Sequence, residues 1–213
     1  MNKILRFLFY RCFVRFVVFV ALGLNIRHKE RIPKQGSAII VSNHNSHLDT
    51  MILMSLLPAP LLEKAHPVAA WEYFLRNPVL AWFALQIVGI LPLKRERTAK
   101  EGNPFASCVE ALTDGKILLF YPEGSRGEPE QLAQFKNGMT RLLKECPDVP
   151  VIPVFLHGAG KALPKGEALL VPFFCDVFIG NPLRWDGDRR RFMSELEKEI
   201  NSLAAEGNFA PWQ

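Results

Sequence analysis

The chain reads as an α/β protein, with a mostly parallel or mixed sheet flanked by helices and a membrane-interacting helix at its N-terminus. Two observations predict this. Short, predominantly apolar runs near Ala38–Ser42, Lys116–Phe120 and Val151–Phe155 alternate with longer segments of helical periodicity, and strands apolar on both sides belong in a sheet covered on both faces. Ahead of them lies a basic, aromatic-rich stretch from Ile4 to Leu24. With 213 residues, 49% of them apolar, the chain can fill one sizeable core and is short for two.

The pattern predicts a strand at Ala38–Ser42, a helix from Ser46 to about Leu57, a strand near Val68–Ala70 and apolar helices between Tyr73 and Val88. Ile90–Leu93 follows as a strand, then a helix over Pro104–Thr113 with proline in its first turn, a strand at Lys116–Phe120 and a helix at Gly138–Glu145. Val151–Phe155 and Leu169–Ile179 supply the last strands, the second interrupted by Pro172, which marks an edge or a break. Arg189–Ala205 closes the chain as an amphipathic helix. The aromatic region from Trp71 to Leu85 suits either core or the lining of an apolar groove.

We divide the chain into an N-terminal membrane-anchoring segment, residues 1–27, and a globular domain, residues 28–213. As a helix, Ile4 to Leu24 would be about 31 Å long, but its longest uninterrupted apolar run is Phe16–Leu24. Arg11 and Arg15 would cost about 2.5–3.5 kcal/mol each near a bilayer centre, which favours a helix lying in the interface with its arginines reaching headgroups. A full span, and a cleaved leader ending near Ala21 and Gly23, are the competing readings.

The net charge is +5, and no nucleic-acid motif accompanies it. The cations gather in two places. Lys3, Arg6, Arg11, Arg15, Arg27, Lys29 and Arg31 suit an anionic membrane surface, while Lys94, Arg95, Arg97 and Lys100 suit phosphates. Four scattered cysteines, Cys12, Cys108, Cys146 and Cys175, form no disulfide framework and fit a reducing compartment.

The chemistry is expected at Asn43-His44-Asn45-Ser46-His47-Leu48-Asp49, where an apolar strand gives way to a helix. Ser46 with Asp49 three positions later reads as a helix start. His47 and Asp49 then sit two residues apart and do not face each other, whereas His44 lies just before the cap and can fold back onto Asp49. His44 is therefore the candidate base and Asp49 its orienter. No serine or cysteine is evidently paired with the histidine, which points to a hydroxyl on the substrate as nucleophile. A zinc site at His44, His47 and Asp49 is the alternative; it is disfavoured because no glutamate follows at hydrolase spacing and Ser46 caps the helix.

Three further blocks follow in order. They are Gly89-Ile90-Leu91-Pro92-Leu93-Lys94-Arg95, Tyr121-Pro122-Glu123-Gly124-Ser125-Arg126, and Val151-Ile152-Pro153-Val154-Phe155. With the histidine block, these resemble the glycerolipid acyltransferases over about residues 28–182, and the bacterial 1-acylglycerol-3-phosphate enzymes most. Tyr121 stands where that family usually has Phe, Ser125 for Thr, Gly127 for Ser, and Pro92 for an aromatic.

The resemblance implies that His44 deprotonates an acceptor hydroxyl, that Asp49 orients it, and that Arg95, Glu123, Gly124 and Arg126 help hold a glycerol phosphate, with Lys94 as a weaker candidate. It implies acyl-CoA or acyl carrier protein as co-substrate, with no metal or bound cofactor, and phosphatidic acid as product. The expected partners are a lysophospholipid, an acyl thioester and a membrane surface, and the expected location is the cytoplasmic face of a bacterial inner membrane. Acylation of another lysophospholipid or of a lyso-ornithine lipid is the nearest alternative, and a non-catalytic lipid-binding protein a distant one. Arginines just past strand ends suit the phosphate independently, because a guanidinium presents a planar fork of donors.

Overall fold

The computed structural model describes residues 2–74, 77–94, 103–128, 131–164, 167 and 169–209. A seven-stranded sheet organises them, in the order β1-β7-β6-β2-β5-β3-β4. The strands are β1 (Leu24–Arg27), β2 (Ala38–Ser42), β3 (Ala65–Ala70), β4 (Leu91–Leu93), β5 (Ile117–Phe120), β6 (Val151–His157) and β7 (Cys175–Ile179). All neighbours are parallel except β6 and β7.

Both faces are covered, as the apolar runs require. Ala38 and Ile40 of β2, Ile117 and Leu119 of β5, and Ile152, Val154 and Leu156 of β6 enter one core. The alternate residues Ile39, Val41, Leu118, Phe120, Val151 and Phe155 enter the other, as the two-residue repeat of a strand demands.

The first face carries α1, which runs as Lys3–Leu8 and continues in wider turns through Phe9–Val14 and Val17–Ala21, and α2 (His47–Leu56), followed by the single turn α3 (Ala59–Leu62). Next come α4 (Trp71–Phe74) and α5, which runs as Pro78–Phe83 and then Ala84–Val88. The second face carries α6 (Ala106–Thr113), α7 (Met139–Glu145) and, after the short α8 (Ala159–Ala162) near α2, the long α9 (Arg189–Glu206).

In α1 the buried positions are Arg6, Tyr10, Val14, Val18 and Leu22, every fourth residue. A pure α-helix would let that stripe drift, because four residues exceed its 3.6-residue turn; the interspersed i→i+5 turns hold it on one line. Arg6, grouped by sequence with the membrane-facing cations, is instead 1% exposed and donates to the Ala65 carbonyl at the start of β3.

Three strands differ from expectation. Pro172 does break the last one, which starts only at Cys175, but β7 is interior, lying between β6 and β1 and antiparallel to β6. The edge is formed by β1, whose four residues alternate in exposure and sit in a stretch read as the end of the anchoring helix. β3 begins at Ala65, earlier than expected, because Pro67 is where the strand leaves β5 to pair with β4 from Val68.

Candidate active site

β2 lies between β5 and β6 and parallel to both, and the carboxyl ends of such strands are where open α/β sheets hold ligands. His44 stands there. Ser46 caps α2 with its hydroxyl accepting from the Leu48 amide at 3.2 Å, and it donates to the Leu163 carbonyl at 2.8 Å. Asp49, 1% exposed, closes the reciprocal half of the capping box. Its Oδ2 accepts from the amides of Asn45 at 2.7 Å and Ser46 at 2.8 Å, and from His44 Nδ1 at 3.0 Å.

An ionised carboxylate can only accept, so this contact places the proton of the neutral imidazole on Nδ1 and leaves Nε2 bare. Among the described residues nothing bonds Nε2, and the side chain is 17% exposed. The ring stacks on Tyr121 with centroids 3.9 Å apart and planes 16° from parallel. The Tyr121 hydroxyl pairs with Thr50 Oγ1 at 2.8 Å; burial, then the nearby Asp49 charge, push its pKa well up and keep it neutral. The base is thereby held on one edge by Asp49 and on one face by Tyr121.

The turn after β5 supports the same histidine from behind. Glu123 is 3% exposed and its Oε1 accepts the His44 amide at 3.0 Å, while the Gly127 amide donates to the His44 carbonyl at 2.8 Å. Burial raises the Glu123 carboxyl to about 7, against the lowering effect of the His44 amide. Its carboxylate thus serves the loop that carries the base. Gly124 adopts φ +75°, and its amide donates to the Tyr121 carbonyl at 3.0 Å; this left-handed turn is what a side chain there would strain.

Arg126 follows, its guanidinium 5.8 Å from the centre of the Tyr73 ring. It is close enough to His47 to depress that ring, which burial first and the Arg126 charge second lower to about 4. Lys94 follows β4, three strands from β2, about 14 Å across the sheet, and its amine lies 5.8 Å from the Trp71 ring centre. Arg95 falls outside the described residues.

Three contributors were not read from the sequence. Asn43 donates from Nδ2 to the Leu156 carbonyl and accepts the Leu156 amide, both at 2.8 Å, so its side chain continues the β2–β6 ladder one step beyond the strand. Asn45 donates to the carbonyls of Glu128 and Gln131. With Tyr121, these tie the histidine loop to the two neighbouring strands. The available signal was the pair of asparagines flanking His44 at a strand end, where such side chains commonly replace main-chain partners.

Residues 23–157, which carry the histidine and glutamate blocks together, match the model of the family described as Acyltransferase. The chain belongs to the acyltransferase family. It is 32% identical over 162 residues to the chloroplast 1-acyl-sn-glycerol-3-phosphate acyltransferase of Arabidopsis thaliana, covering 75% of this chain and 43% of that one. A Pseudomonas aeruginosa protein of the same activity name is 27% identical over 196 residues, 89% of this chain and 70% of its relative. The chain spans less than half the length of the Arabidopsis protein and of its Brassica napus counterpart. The fold matches the crystal structure of the 1-acyl-sn-glycerophosphate acyltransferase PlsC from Thermotoga maritima, with a TM-score of 0.72 and 21% identity, over 90% of this chain and 74% of that one.

Proposed function

We propose that the protein transfers a fatty acyl group from an acyl thioester, acyl-CoA or acyl carrier protein, to the free hydroxyl of 1-acylglycerol-3-phosphate, forming phosphatidic acid. The observation that carries the chemistry is the His44–Asp49 pair at 3.0 Å, which leaves Nε2 without a hydrogen-bond partner among the described residues; relatives named for this substrate carry the choice of acceptor.

In this reading Nε2 takes the acceptor's hydroxyl proton as its oxygen attacks the thioester carbonyl. The tetrahedral adduct collapses with loss of the thiolate, which takes the proton back from the imidazolium, leaving an ester and a free thiol. Asp49 keeps Nδ1–H oriented and stabilises the transient cation. Arg126 receives the phosphate, aided by Arg95. Such general-base assistance supplies about 10²–10⁴ in rate, and the alignment of two bound substrates supplies much of the rest. The reaction so written draws on no metal or bound cofactor.

We also propose that the protein works at the cytoplasmic face of a membrane, bound through the outer face of α1. Ile4, Phe7, Phe13, Phe16 and Val20 are exposed there, and Val79 and Trp82 of α5 are exposed as well. Among the described residues no helix is long and apolar enough to cross a bilayer, which favours the interface.

The test is transfer of radiolabelled acyl groups from acyl-CoA, and separately from acyl carrier protein, to a panel of lyso-lipids in detergent micelles. Phosphatidic acid is the expected product, reduced at least about 10²-fold in His44→Ala. Product from a different lyso-lipid alone would replace the acceptor, and activity surviving in His44→Ala would remove the catalytic assignment.

A further inference from the structure

The single turn α4 follows β3 and presents two aromatic rings to two cations. Trp71 lies under Lys94 at 5.8 Å and Tyr73 under Arg126 at 5.8 Å, both within reach of a cation–π attraction. The Tyr73 ring is fixed in turn, its hydroxyl lying 3.3 Å from His47 Nε2 and Phe74 meeting it edge-on at 4.9 Å. Tyr73 is 44% exposed, so its ring contributes little to either core. His47 stands on the first turn of α2, next to the cap that orients the base.

We propose that Tyr73 is a positioning residue for Arg126: its ring is the platform on which the guanidinium rests, and His47 holds that ring in place. Arg126 lies on an irregular segment between Gly124 and Gly127. A long side chain on such a loop samples many rotamers, and a platform that confines it before the acceptor arrives lowers the ordering cost of binding. Burial and the Arg126 charge keep His47 neutral. Its Nε2 can therefore accept the Tyr73 hydroxyl proton, which joins the loop after β5, the turn after β3 and the start of α2 into one assembly.

The inference rests on the reading that Arg126 binds the acceptor's phosphate, and the experiment separates the two. Steady-state kinetics in micelles would compare the parent with Arg126→Ala, Tyr73→Leu and Tyr73→Phe, varying lysophosphatidic acid and acyl donor in turn. Arg126→Ala should raise the acceptor KM at least about tenfold, as loss of a charged hydrogen bond does. Tyr73→Leu should raise it about two- to fivefold, the range of an exposed cation–π contact, with kcat and donor KM held. Tyr73→Phe keeps the ring but loses the hydroxyl bonded to His47, so it should recover most, though not all, of the acceptor KM.

An unchanged acceptor KM in Arg126→Ala removes the phosphate reading and the inference with it. If Arg126→Ala acts as expected, three outcomes each overturn the platform alone. These are no effect of Tyr73→Leu, a loss confined to kcat or shared with the donor, and a Tyr73→Phe variant as impaired as Tyr73→Leu.

Discussion

Glu123 and His47 flank the base and are perturbed in opposite senses. The Glu123 carboxyl is raised from 4.5 to about 7. The folded state therefore holds its proton more tightly than the unfolded chain, and the resulting stability is complete below about 4.5 and lost as pH rises through about 7. His47 is lowered from 6.5 to about 4, so its neutral form supports the fold above 6.5 and works against it as pH falls towards 4. Glu123→Gln keeps an acceptor for the His44 amide but cannot ionise. Denaturation measured from pH 5 to pH 8 should show the variant gaining on the parent as pH rises, by up to about 3 kcal/mol; a constant difference would refute the assignment. At this scale the sequence was informative where partners are neighbours along the chain. His44 and Asp49 were legible because a cap has a fixed geometry, whereas Tyr121 stacks on His44 from the end of β5 and Asn43 bonds Leu156 of β6, so that even where an asparagine at a strand end signals a main-chain bond, its segment does not name the partner.

Among the elements, α2 is the one on which the site depends. Its cap serine makes two bonds in opposite directions, accepting from Leu48 and donating to the Leu163 carbonyl beyond β6. Ser46→Ala should cost about 1–2 kcal/mol in urea unfolding, and should also lower kcat because Asp49 shares the capped turn. An unaltered kcat would mean that the His44–Asp49 pair holds without the cap. The strands were legible from their unbroken apolar runs, which is why β2 falls at its expected bounds. Of the two readings of Pro172 the break holds and the edge does not, because the composition of β7, four apolar residues and Asp176, does not tell an interior strand from an edge strand. The stripe on α1 was present as a four-residue spacing, but the arginine that begins it masked its buried character.

At the scale of the molecule, α1 has two faces with different roles. Tyr10, Val14, Val18 and Leu22 belong to the core beneath α2, while Phe7, Phe16 and Val20 look outward. Val14→Ser should lower stability by about 2–4 kcal/mol, through lost burial and an added buried hydroxyl. Phe16→Ser with Val20→Ser should leave the melting temperature nearly unchanged and reduce co-sedimentation with anionic vesicles. Equal vesicle binding by the double variant would remove the outer face from the membrane contact. The sequence marked the segment as amphipathic and basic. It did not mark it as part of the core, because that depends on how α1 crosses α2.

The proton-handling half of the site and the charge-handling half differ in how far apart their parts lie along the chain. Base, orienter and cap fall within six residues, 44–49, and Asp49 Oδ2 joins them through three short bonds. The group proposed for the phosphate and its aromatic support come from loops after two other strands, 53 residues apart in sequence between Tyr73 and Arg126. Local geometry survives changes that shift one strand against another, and long-range geometry does not. Substitutions elsewhere in the sheet should therefore relax the choice of acceptor before they slow the transfer itself, so that new headgroup preferences are reachable through many sites while the chemistry stays intact.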